Sequence, residues 1–121
     1  MPQIKIYGLK QSLAPLRTQL SDAIHQSLVS SLQVLSEKRF QRFIWLEAED
    51  FLFPRDRTQY YTILEISLFT GRPAPIKKQL IRSLYDNITA ATPIAAQDLE
   101  ITLFESPPAN WGIRGVCGDE L

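Results

Sequence analysis

Ile4-Lys5-Ile6-Tyr7 alternates apolar and polar positions and stops at Gly8, which predicts a short strand. Leu16, Leu20, Ile24, Leu28 and Leu32 then recur at every fourth position. Residues four apart share one helix face, so this stretch predicts an amphipathic helix of about five turns, with Ser12 as N-cap and Pro15 in the first turn. Phe40 to Leu46 is rich in aromatic and β-branched residues and predicts a second strand, fading into Glu47, Glu49 and Asp50. Arg55-Asp56-Arg57-Thr58 reads as a polar loop.

The second half repeats the plan. Thr62 to Phe69 alternates, with Ile63, Glu65 and Ser67 on one face and Leu64, Ile66 and Leu68 on the other. Gly71-Arg72-Pro73 ends that strand, the stripe Ile76, Leu80, Leu84, Ile88 predicts a helix closed before Pro93, and Leu99 to Glu105 predicts a strand. The tail from Pro107 to Leu121 carries Pro107-Pro108, Gly112, Gly115 and Gly118 and reads as turns with a short strand around Trp111–Val116. An offset of sixty lays Ile4 on Leu64, Ile6 on Ile66, Leu16 on Ile76 and Ile24 on Leu84. Pro15-Leu16-Arg17-Thr18-Gln19-Leu20 falls on Pro75-Ile76-Lys77-Lys78-Gln79-Leu80, with three of six pairs identical and two conservative. Two β-α-β units, about residues 2–60 and 61–121, with right-handed crossovers give an α+β domain: a four-stranded mixed sheet carrying two antiparallel helices on one face, plus a short C-terminal strand. The other face has no helix. With Phe40, Phe43, Trp45 and Ile63 assigned to it, it is too apolar for a monomer and predicts self-association through the sheets.

Composition narrows the function. The chain has 121 residues, 45% of them hydrophobic, with 13 Lys+Arg against 13 Asp+Glu, which fits one ordinary domain. Nucleic acid and anionic membrane are excluded as partners, because their binders carry surplus positive charge. One cysteine, Cys117, forms no intrachain disulfide, and with the single His25 it leaves too few soft ligands for zinc; no metal and no cofactor are expected. No apolar run approaches the length of a membrane span and no signal peptide is evident, so a cytoplasmic protein is expected.

The chemistry is expected at the N-terminus and among the arginines. Initiator methionine is normally trimmed before a small residue, so the mature chain is expected to start at Pro2 with a free secondary amine. At the start of a central strand, desolvated and near arginines, that amine falls below the usual α-amino pKa of about 8, and a neutral amine is a general base. Arg72 sits where a strand end meets a helix start, a place suited to clamping a carboxylate. Lys38, Arg39 and Arg42 add positive charge at the second strand. His25 lies one position off the helix stripe and reads as a boundary residue, Cys117 as inert, and the Glu47–Asp50 cluster as a solvated strand end. Tyr60-Tyr61 and Phe51-Leu52-Phe53 read as packing.

Met1-Pro2, the Lys38-Arg39-Phe40-Gln41 run, Thr70-Gly71-Arg72 and Asn110-Trp111, set on two β-α-β units, resemble the tautomerase superfamily over essentially the whole chain, nearest its malonate semialdehyde decarboxylase-like branch. The resemblance implies a homotrimer with a barrel-like interior and each amino-terminal proline near a subunit interface. It implies Pro2 as acid and base, Arg72 on the carboxylate of a small-molecule 2-oxo acid, and Trp111 as a pocket wall; the residues themselves offer Lys38 and Arg39 as further substrate contacts, with edge-strand charge as the alternative for one or more of Lys38, Arg39 and Arg42. Lys38 stands where the decarboxylase pattern has an aspartate, Thr70 where it has the first of two arginines, and Ile113 where it has a phenylalanine. Decarboxylation needs a water-activating acid and a fuller clamp, so keto-enol tautomerism of 2-oxo acids or aryl pyruvates is the expected activity. The alternatives are a trimeric scaffold or interaction protein with weak catalysis, a malonate-semialdehyde-type decarboxylase, and a ferredoxin-like ligand-sensing dimer.

Overall fold

Leu64, Ile66 and Leu68 have no exposed surface while their neighbours are only half-buried, and this period of two sets the layers. In the computed structural model, which describes residues 2–121, strands β1 (Gln3–Leu9), β2 (Gln41–Leu46), β3 (Thr62–Phe69) and β4 (Leu99–Ser106) form one sheet in the order β2-β1-β3-β4. β1 runs parallel to β2 and antiparallel to β3, and β4 runs parallel to β3. The long helices α2 (Arg17–Leu32) and α3 (Ala74–Ala91) pack side by side on one face, and a short α1 (Lys10–Leu13) leads into α2. The core lies between the layers, where Ile6, Ile24, Leu28, Ile66, Leu84 and Ile88 are buried together. Burying each such side chain contributes about 1.5–3 kcal/mol, so the layer interface dominates stability. Among the described residues no helix is long and apolar enough to cross a membrane.

The repeat is visible as a pseudo-twofold axis. Lys5 pairs with Glu65 across β1 and β3, and the Asn87 amide donates to the Ser27 hydroxyl at 2.9 Å between the helices. Each is a contact between a residue and its own equivalent sixty positions on, so the axis passes through both pairs. The small strands β5 (Gly112–Ile113) and β6 (Val116–Cys117) form a hairpin in the tail, where one short strand was expected.

Three further expectations change. Gly8 does not end the first strand: β1 continues to Leu9, and Gly8 leaves room for the buried Leu13, whose Cδ1 lies 1.9 Å from where a Cβ would stand. Ser12 is not an N-cap, because the helix starts at Lys10 and Pro15 interrupts it with a 3₁₀ turn at Ala14–Leu16, as the missing proline N–H requires. Phe43 and Trp45 are on the helix side of the sheet, because the parallel register sets Phe43 beside Ile6 and Trp45 beside Gly8. Their rings, 5.1 Å apart, lie under the Arg17 guanidinium. The helix-free face is therefore mixed: Lys5, Arg42, Glu65 and Thr102 share it with Tyr7, Ile44 and Ile63, and the Tyr7 hydroxyl donates to Glu65 at 2.7 Å. The apolar-face argument for self-association is weaker than the sequence suggested.

Candidate active site

Pro2 is buried at the start of the central strand β1, tied to the segment entering β2 by the Ile4 N–H donating to the Phe40 carbonyl at 3.0 Å. Because β3 runs antiparallel to β1, its end and the following Thr70-Gly71-Arg72 arrive beside Pro2. Gly71, at φ 122°, adopts a backbone open mainly to glycine and turns the chain into α3. On the other side α2 ends with Gln33 in the left-handed region, φ 60°, and the chain folds back so that the Lys38 N–H donates to the Leu35 carbonyl. These three turns enclose a cavity of about 220 Å³, lined by Pro2, Arg72, Lys38 and Phe40 with Leu32 to Leu35 at the end of α2.

A second cavity of about 330 Å³ adjoins it, with Lys38 and Phe40 common to both. Its other walls are Gln3 and the tail residues Trp111, Gly112, Ile113 and Arg114. Trp111 is held edge-on to Phe69, ring centroids 5.1 Å apart, and its carbonyl accepts from the Gly118 N–H at 2.8 Å. Among the described residues no carboxylate lines either cavity. Arg72, Lys38 and Arg114 have no acidic side chain within ion-pair distance among the described residues, so the combined space is electropositive and suits an anion.

Of the residues expected at the site, Pro2, Arg72 and Lys38 share one cavity, and Trp111 walls the adjoining one. Arg39 points elsewhere: its guanidinium bonds Asp22 at 2.7 Å and the Ser21 hydroxyl at 3.1 Å on α2. The end of α2 and Arg114 also line the site, though hydrophobic patterning does not announce either; for Arg114 the one signal in the sequence is Gly115 beside it, the mark of a tight turn. His25 proves buried, and its Nε2–H donates to the Ser36 carbonyl at 2.7 Å, pinning the loop that carries Lys38. Met1, and with it the expected methionine removal, lies outside the described residues.

At the opposite end of the sheet the second repeat has filled the equivalent corner with its own side chains. Thr62 stands at the position equivalent to Pro2, and its hydroxyl donates to the Tyr60 carbonyl at 2.8 Å. Asp98, equivalent to Lys38, is buried and accepts from the Thr58 N–H at 2.7 Å and from the Thr58 hydroxyl. Tyr61 stacks with Phe51 at 5.3 Å and packs tilted against Phe53 at 5.2 Å. Among the described residues one metal-ligand grouping occurs, the exposed Cys117, Asp119 and Glu120, whose ligand atoms lie within 4.8 Å of one another. Glu120 is already engaged there, accepting from the Cys117 N–H at 2.9 Å.

Comparison with known proteins agrees with this fold. Malonate semialdehyde decarboxylase, described for decarboxylase and hydratase activities, is similar over 94% of this chain and 92% of its own, with 18% identity and a TM-score of 0.83. An asymmetric trimer of wild-type fused 4-OT covers 98% and 97%, with 19% identity and a TM-score of 0.85. A protein inactivated by 2-oxo-3-pentynoate covers 98% of both chains, with 19% identity and a TM-score of 0.86. At such identities these likenesses establish the fold. The profile of the family described as "Tautomerase enzyme" matches residues 38–114, well over half the chain, and with the shared fold this makes the protein a member of the tautomerase superfamily.

Proposed function

We propose that the protein is a keto-enol tautomerase of small 2-oxo acids or aryl pyruvates, an isomerase that works as a cytoplasmic homotrimer with Pro2 as its amino-terminal base and acid. The observation that carries this reading is the meeting of Pro2, Arg72 and Lys38 in one cavity. With Met1 removed, the buried Pro2 nitrogen is a secondary amine between two cations, and both burial and positive charge favour its neutral form. That nitrogen takes a proton from the carbon beside the substrate carbonyl while Arg72 holds the carboxylate or the developing enolate oxygen, and the resulting ammonium returns the proton to that oxygen. The reverse sequence converts enol to ketone. Proton count and charge balance within the cycle, and no cofactor takes part.

Tautomerism is preferred to decarboxylation because, among the described residues, no carboxylate lines either cavity, and because the family resemblance sets Lys38 where the decarboxylase pattern has its aspartate. The homotrimer is supported by the likeness to fused 4-OT trimers. The direct test is Pro2→Ala, which keeps a small second residue for methionine removal but replaces a ring-fixed secondary amine by a rotating primary one. Phenylpyruvate tautomerisation is expected to fall by about 10²-fold or more, the scale of one positioned base. Full activity in the variant would exclude the mechanism.

A further inference from the structure

His25 is the one histidine of the chain, and it stands in the buried part of α2 beside Ile24 and Leu28 with 6% of its surface exposed. A polar ring in such a place costs free energy unless its nitrogens are bonded. Its Nε2–H donates to the Ser36 carbonyl at 2.7 Å. Ser36 and Glu37 are the central residues of the turn that the Lys38 N–H closes by donating to the Leu35 carbonyl at 2.9 Å. The middle peptide of a four-residue turn can flip between turn types, and the oxygen of that peptide is the atom His25 holds. Among the described residues no other hydrogen bond joins residues 34–38 to α2.

The residues after Lys38 are held by the preceding turn of the same helix. The Ser21 hydroxyl donates to the Gln41 side chain at 2.6 Å, the Gln41 amide donates back to the Ser21 carbonyl at 3.1 Å, and the Arg39 guanidinium bonds Asp22 at 2.7 Å. Residues 36, 39 and 41 are thus fastened to α2, while Lys38 and Phe40 between them line the two cavities. His25 is the buried anchor of the set, whereas the Arg39–Asp22 pair is exposed and holds weakly. We propose that His25 is a positioning residue, which fixes the Leu35–Lys38 turn against α2 so that the Lys38 side chain stays in the cavity with Pro2 and Arg72. His25 lines neither cavity, so it reaches the substrate only through Lys38. This deepens the tautomerase reading and rests on it.

A double-mutant cycle on phenylpyruvate tests the proposal. His25→Leu removes the donor at similar volume, His25→Gln keeps an N–H on a side chain of similar reach, and Lys38→Met removes the ammonium. His25→Leu is expected to raise KM about fivefold with kcat within about twofold, because the base is untouched, and His25→Gln to recover most of that loss. In the Lys38→Met background His25→Leu is expected to change KM no further. If His25→Leu does not fold, His25→Asn, whose N–H falls short of Ser36, takes its place in the cycle. An unchanged KM in the single variant, an equal rise in both backgrounds, or a His25→Gln as impaired as His25→Leu would overturn the assignment. Amide hydrogen exchange at Lys38, read by NMR, separates this outcome from failure of the tautomerase reading. If the wild-type protein does not turn phenylpyruvate over, faster exchange in His25→Leu than in the wild type and His25→Gln still supports the anchoring of Lys38, and equal exchange in all three overturns it.

Discussion

Gly118→Ala perturbs the wall of the site from behind, and its consequence follows from distances. Gly118 is buried, and a Cβ built there meets the Pro108 carbonyl oxygen at 2.5 Å, the Phe69 ring at 3.2 Å and the Trp111 Cβ at 3.2 Å. Even a close carbon–oxygen contact is about 3.3 Å, so the first overlap is severe. None of the three neighbours is the free end of a flexible chain: one is backbone, one is an aromatic ring and one is fixed by the Trp111 main chain. Overpacking of this kind costs about 1–3 kcal/mol. A loss of about 2 kcal/mol corresponds to a fall in Tm of about 8 °C, given an unfolding entropy of about 2 cal/mol/K per residue. Thermal unfolding followed by circular dichroism, at matched protomer concentration because assembly stabilises by mass action, reads that fall. Any part of the overlap relieved by the tail swinging outward takes Trp111 off the cavity wall and is expected to raise KM for phenylpyruvate several-fold, roughly the cost of one lost apolar contact. An unchanged Tm together with an unchanged KM would refute the reasoning.

Gly8→Ala is the tightest case in the core, because its Cβ lies 1.9 Å from Leu13 Cδ1 and 3.0 Å from Leu13 Cγ, and Leu13 is fully buried. Its urea midpoint is expected to drop by an amount equivalent to about 2 kcal/mol, and a wild-type midpoint would contradict the packing described. Tyr61 supplies a pH prediction: burial, and secondarily Glu100, push its phenol up to about 12 from 10.0. The neutral phenol is the form the fold favours, so this contribution to stability is complete below about pH 10 and is lost as pH rises through about 12. Tyr7 and Tyr85 are also raised, by the Glu65 hydrogen bond and by burial respectively, so tyrosinate absorbance should show several late-titrating groups, with the component at about pH 12 absent in Tyr61→Phe. Titration of every tyrosine together near pH 10 would count against it.

Much of the architecture was legible in the chain because burial leaves a periodic mark. The alternation Leu64, Ile66, Leu68 and the stripe Ile76, Leu80, Leu84, Ile88 each name a buried face, and the offset of sixty relates two such faces by an axis that Lys5–Glu65 and Ser27–Asn87 now locate. The meeting of Pro2 with Arg72 was expected from the family resemblance alone; what brings it about is the antiparallel central pair, which sets the start of β1 beside the end of β3. What was not legible depended on register or on turns. Phe43 and Trp45 were assigned to the helix-free face, and a one-residue shift in pairing is all that separates the two faces; the register with Ile6 and Gly8 decides it. Arg39 was expected at the site and in this chain bonds Asp22 and Ser21 on α2, a choice of partner that no spacing announces. Arg114 went unremarked because it adopts left-handed backbone, a conformation that side chains other than Gly, Asn and Asp rarely announce.

The claim on which the chemistry stands is that Pro2 presents a free secondary amine within an assembly of identical chains. Native mass spectrometry of the intact protein reads both parts at once. The expected result is a complex of three protomers, each lighter by one methionine residue than the full sequence. Protomers that retain Met1, with the Pro2 nitrogen locked in an amide, would contradict it.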